Sequence, residues 1–152
     1  MAVGNIRDFL DHEHIRYKCI KHSPSITAQE TAQSAHIHGK ELAKTVIVKI
    51  GDKLAMVVLT ANDKVNFSHL TQSLGGKPIQ LASEREFRDQ FPNCELGAMP
   101  PFGNLYGMEV FVDRKLSEDP EIAFNAGSHS ELIRMAYADF AKVVHPQLIQ
   151  AS

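Results

Sequence analysis

Thr45-Val46-Ile47-Val48-Lys49-Ile50, Gly51-Asp52-Lys53 and Leu54-Ala55-Met56-Val57-Val58-Leu59-Thr60 decide the fold. The two outer runs are rich in β-branched residues, and Gly51-Asp52 between them marks a tight reversal, so a hairpin is expected. Both runs are too continuously apolar for strands wetted on one face, which predicts two central strands.

Working outward, Val3, Ile6, Phe9 and Leu10 follow a helical period and predict an amphipathic helix over residues 2–13. Tyr17–Lys21 reads as a short strand and His22–Ser25 as a loop. Thr27 with Glu30 is a capping-box pattern, opening a second helix to about Ala35, with Gly39 as its left-handed cap. Downstream, Ser68 is expected to open a short helix through Leu74, stopped by Gly75-Gly76. Pro78–Leu81 reads as a strand, and Ser83 with Glu86 repeats the capping pattern before a helix carrying Phe87 and Phe91. Residues 92–104 break regular structure; strands are expected at Tyr106–Asp113, Ile122–Asn125 and Glu131–Met135, then a helix from about Ala138 to Val144. Helices at both ends of a β-rich middle predict α+β with a mixed sheet rather than a doubly wound βαβ array. At 152 residues, without repeat or linker, one domain over 1–152 is expected.

No apolar run approaches the ~20 residues of a membrane helix, and the first residues turn polar too early for a secretory signal. Cys19 and Cys94 lie far apart and form no CxxC pair, so free thiols in a reducing cytoplasm are expected. Net charge is -2, which excludes a bulk polyanion binder. Residues 1–53 carry 8 Lys+Arg against 6 Asp+Glu, and residues 54–152 carry 8 against 12, so +2 and -4 make up that total. A locally basic face for RNA and a merely solvated surface both fit this split.

The common catalytic motifs are missing: there is no P-loop, GxSxG elbow or HExxH. His12-Glu13-His14 and His36-Ile37-His38 resemble metal pairs, but i and i+2 side chains diverge on a helix, so no metal or cofactor is expected. Lys44 heads the most apolar strand. It is either a solvated strand end or a cation at a cleft mouth, able to grip a phosphate or oxyanion. Gly97-x-x-x-Pro101, with Phe102-Gly103, is either an ordinary connection or a rigid wall that brings backbone close to a small substrate. Asn125-Ala126-Gly127-Ser128-His129-Ser130-Glu131 is either a turn between strands or a small-residue pocket offering an imidazole. No acid is clearly placed to complete a triad with Ser128 and His129.

Together these stretches resemble the YbaK/ProX family of trans-editing aminoacyl-tRNA deacylases, related to the editing insertion of bacterial prolyl-tRNA synthetases. The matching residues are Thr27-Ala28-Gln29-Glu30-Thr31-Ala32, Ala43-Lys44-Thr45-Val46, the Gly97–Gly103 loop, Val110-Phe111-Val112-Asp113 and Asn125–Glu131. They occur in family order and span roughly residues 3–144. The resemblance implies a mixed, partly barrel-like sheet flanked by helices, and hydrolysis of the ester joining a wrong amino acid to the terminal adenosine of tRNA. It assigns Lys44, Gly97 and His129 to catalysis, and Thr27, Thr45, Met99, Pro101, Phe102, Gly127 and Ser128 to substrate binding. Lys44 matches a lysine implicated in holding the terminal nucleotide and its phosphate. The Gly97–Pro101 loop matches one that borders the aminoacyl pocket and the attacking water. The partners implied are the acceptor end of aminoacyl-tRNA and prolyl-tRNA synthetase, with no membrane. Met99-Pro100 departs from the smaller loop residues of many relatives.

The chemistry is coherent, because an aminoacyl ester is already activated. Positioned water can attack it if the oxyanion is stabilised, without a strong nucleophile or a metal. A small pocket favours a small amino acid. Alanine comes first, since serine and threonine need a hydroxyl partner that the sequence does not reveal. Two other readings stand beside this one: a non-catalytic tRNA- or synthetase-binding module of the same fold, and an unrelated small-molecule hydrolase.

Overall fold

The computed structural model describes residues 6–22, 41–92, 94–95 and 97–152. The expected helix from Thr27, its Gly39 cap and the His36–His38 pair lie outside them.

The hairpin forms as expected. β2 (Leu42–Ile50) pairs antiparallel with β3 (Lys53–Thr60), from Ala43 opposite Thr60 to Ile50 opposite Lys53. Gly51 turns the chain at φ +61, a conformation glycine adopts without steric cost. These strands sit inside an eight-stranded mixed sheet, with Ala55–Thr60 of β3 buried throughout. The strand order is β1 (Tyr17–Lys21), β7 (Glu131–Ala136), β6 (Glu121–Asn125), β2, β3, β5 (Glu109–Asp113), β8 (Gln147–Ile149). β4 (Ile79–Leu81) adds to β2. The α+β reading with a mixed sheet is therefore correct.

Helix α1 (Ile6–His12) buries Ile6 and Leu10 on the sheet. Helix α2 (Phe67–Ser73) is capped by Asn66, whose side chain accepts from the His69 N–H, and not by Ser68 as expected. Helix α3 (Glu84–Phe87) carries the anticipated Ser83–Glu86 capping box. The segment before Asp113 becomes a strand only from Glu109, because Gly107 turns at φ +71. Helix α5 (Tyr137–Val144) closes the main core through Phe140 and Val144. Among the described residues three elements were not anticipated: a 3-10 turn at Gly103–Leu105, the one-turn helix α4 (Arg114–Ser117) and β8.

One topological detail positions the site. Along the edge away from β3, β2 meets β6 in parallel at Leu42 and Ala43, and β4 at Val48–Ile50. No described strand lies beside Lys44–Val46 on that edge. The Leu42 carbonyl accepts from Ala61 on the β3 side, whereas the Glu41 and Ile47 carbonyls accept from Ala123 and Ala82 on the other. Backbone bonding alternates along a strand, so the Thr45 peptide faces this window.

Candidate active site at the sheet window

Two loops meet beside the window. The Gly127 N–H donates to the Ala98 carbonyl at 2.9 Å, and the Glu95 N–H donates to the Gly127 carbonyl at 2.8 Å. The His129 N–H donates to Glu95 Oε2 at 3.3 Å, and the same oxygen lies 4.0 Å from His129 Nε2. Gly97 and Gly127 hold φ of +85 and +95, and a Cβ on Gly97 would meet His129 Cε1 at 3.4 Å. Gly97 and the consecutive Gly127, Ser128 and His129, distant from it in sequence, thus occupy one place. Ser128 Oγ accepts from the Ser130 N–H at 3.4 Å, which tightens the turn.

The rest of the Gly97–Gly103 loop turns inward. Met99, Pro101 and Phe102 are buried. The Phe102 ring packs on Phe9, Phe124 and Phe140 with centroids 6.0, 5.3 and 5.3 Å away. Gly103 passes so close to β5 that a Cβ would lie 2.6 Å from the Met108 carbonyl oxygen. Phe102 therefore anchors the loop from beneath instead of forming a solvent-facing wall.

Lys44 arrives from β2. Leu42 and Ala123 are cross-strand neighbours in one buried cluster, so Lys44 and Asn125, two residues further along each strand, extend from that same face. Lys44 and Asn125 each follow the last β2–β6 pair, Ala43–Phe124, and Gly127 comes two residues after Asn125. Burial holds the Lys44 ammonium below the usual lysine range; Asp63 works against that shift and Lys64 adds to it. A desolvated cation favours an anionic partner that it can hold without losing water again. Thr45 lies on the opposite face of β2, half-buried, and Thr27 is outside the described residues.

The sequence reading gave no role of their own to two residues, Glu95 and Asn125, the latter the first residue of the small-residue stretch singled out there. Glu95 latches the His129 turn, a role visible only once the loops are joined. Asn125 ends β6, and its side-chain Oδ1 is shielded from solvent without a hydrogen-bond partner. The surroundings of Cys94 disfavour its thiolate. Burial pushes its thiol up, and Tyr106 Oη, 3.7 Å from Sγ, offsets this only in part. Among the described residues, no group of three or more His, Cys, Asp and Glu side chains is arranged to hold a metal. An open depression beside α1 and β1 contains neither Lys44 nor the residues of the two loops; in it Tyr17 Oη donates to Asp11 at 2.9 Å, and Arg134 pairs with Glu41 at 2.7 Å.

Comparison with known proteins bears on family and fold. Residues 22–143 match the model of the aminoacyl-tRNA editing domain. The chain is 30% identical over 112 residues to the multifunctional Ser/Thr-tRNA deacylase ProXp-y of Escherichia coli K12, covering 70% of this chain and 66% of that protein. It is 32% identical over 92 residues to a proline–tRNA ligase of Lactococcus lactis, covering 60% of this chain and 15% of the ligase. In fold, it superimposes on a crystal structure described as a candidate trans-editing enzyme for prolyl-tRNA synthetase. That match has a TM-score of 0.82 at 19% identity and covers 97% of this chain and 94% of the other. Among the described residues no helix is long and apolar enough to cross a membrane. The chain belongs to the aminoacyl-tRNA editing domain family.

Proposed function

We propose that this protein hydrolyses mischarged aminoacyl-tRNA in trans, releasing a small amino acid and leaving the terminal ribose hydroxyl free. The observation that carries the reading is the junction of the Gly97 and Gly127–His129 loops beside the strand that bears a desolvated Lys44. In this scheme Lys44 holds the phosphate of the terminal nucleotide. Backbone of the Gly97 loop and the His129 imidazole flank the ester, and water attacks its carbonyl carbon. The tetrahedral oxyanion then collapses, the ribose oxygen leaves and takes a proton, and the acid product departs. A pre-arranged donor at such an oxyanion is typically worth about 10²-fold or more in rate. Editing by size needs only a second sieve, not tight binding. The reaction would run in the cytoplasm, with prolyl-tRNA synthetase as the related source of mischarged substrate.

The kinship with a Ser/Thr-tRNA deacylase moves serine and threonine ahead of alanine as the amino acid removed. The deciding experiment is deacylation of Ala-, Cys-, Ser- and Thr-charged tRNA by the purified protein, with Lys44→Ala alongside. We expect hydrolysis of at least one small aminoacyl group, falling about 10²-fold or more in Lys44→Ala. Binding of the tRNA without turnover on any of the four would point instead to a non-catalytic module of this fold.

A further inference from the structure

We infer that Asn125 is a specificity-determining residue whose carboxamide reads a hydroxyl of the substrate; this deepens the deacylase reading and rests on it. Asn125 Oδ1 is buried against solvent and has no hydrogen-bond partner. A buried amide oxygen left unpaired costs stability, so its retention calls for a donor that arrives from outside the chain. The position fits such a visitor. Asn125 is the last residue of β6, opposite Leu132 of β7. It stands one step beyond the Ala43–Phe124 pairing, on the face that carries Lys44. Two residues later the chain reaches the Gly127–His129 turn. No hydrogen bond or ion pair within 4.0 Å holds the Lys44 ammonium among the described residues. A cation and an amide, neither held by a hydrogen bond among the described residues, therefore each follow the last paired position of β2 and β6, on one face at the window edge.

The pairing suits a ligand with an anion at one end and a hydroxyl a few ångströms away. A carboxamide both accepts and donates, which matches a hydroxyl better than it matches a methyl or a thiol. In an aminoacyl-tRNA, that hydroxyl has two sources: the side chain of serine or threonine, and the free hydroxyl of the terminal ribose. The test separates them. Ser-tRNA and Ala-tRNA are deacylated by the wild type, Asn125→Ala and Asn125→Leu, on both ordinary and 2′-deoxy terminal adenosine. Leucine keeps the branching at Cγ and removes both polar groups. A hydroxyl reader predicts a loss on the order of ten- to a hundredfold, the effect of one unpaired polar group. If the aminoacyl hydroxyl is read, that loss falls on Ser-tRNA while Ala-tRNA is spared. If the ribose is read, both substrates lose equally, and the 2′-deoxy substrate erases the difference between wild type and variant. The inference is overturned if the variants match wild type on both substrates, or if both rates fall equally and stay apart on 2′-deoxy substrate. Inactivity of the wild type on every charged tRNA would sink the deacylase reading itself, a result distinct from either.

Discussion

At the scale of single residues, Gly97 and Lys44 make separable predictions. Gly97 holds φ +85 with the His129 ring 3.4 Å from where a Cβ would sit; Gly107 holds φ +71 with nothing within 4 Å. An alanine at either position meets the same left-handed backbone penalty, about 1–2 kcal/mol. Both variants should therefore lose similar stability in urea unfolding. Only Gly97→Ala should also lose turnover, because its Cβ takes up the space in contact with the His129 ring. Equal turnover in the two variants would remove His129 from the site. For Lys44 the sign follows from its lowered pKa. The folded state disfavours the charged form, so that burden is present at neutral pH and is relieved as pH rises through the folded pKa toward 10.5. Lys44→Met should be more stable than wild type at neutral pH, with the gap narrowing as thermal melts are repeated at higher pH. A constant gap would show that burial does not set the Lys44 pKa. Lys44 was singled out by the family resemblance, since a cation heading an apolar strand is by itself equally a solvated strand end. Asn125 and Glu95 were not legible, since their roles depend on partners that the fold brings from far along the chain.

At the scale of elements, the β2–β3 hairpin was legible because apolar continuity and a Gly-Asp reversal are both local signals. β8 was not. Its three residues carry no readable period, and its end is held by a distant group: buried Asp113 accepts from the Ala151 N–H at 2.8 Å and the Ser152 N–H at 3.2 Å. The Gly97–Gly103 loop divides similarly. Its glycines and prolines announced a rigid connection, but the sequence could not say that Phe102 points into the core. Phe102 is fully buried among three aromatic rings, so Phe102→Ala should cost about 3–5 kcal/mol, the usual range for emptying such a site. Urea unfolding measures this directly. A cost below about 1 kcal/mol would mean that the ring faces a pocket, where truncation leaves no enclosed cavity.

For the whole molecule, charge decides how substrate RNA can be held. The net charge is -2, and four of the described cations are paired within the chain: Arg7 with Glu131, Lys49 with Glu86, Lys115 with Asp63, Arg134 with Glu41 and Glu121. A chain so balanced cannot track a long stretch of phosphates. Its grip must concentrate at the site, where Lys44 and Lys64 sense each other electrostatically and Asp63 offsets part of their field. Single-stranded nucleic acid releases about 0.7 counterion per neutralised phosphate. One or two phosphates held at the acceptor end therefore predict a slope of about -0.7 to -1.4 for log(kcat/KM) against log salt. Lys44→Ala should flatten that slope by about 0.7. The measurement is deacylation at sub-saturating tRNA across a salt series. A wild-type slope of about -4 or steeper would require five or more phosphate contacts and hence a broad RNA-binding face. Discrimination would then rest on the tRNA body, whereas a shallow slope leaves it to the small pocket at the ester, where Asn125 and the Gly97 loop stand.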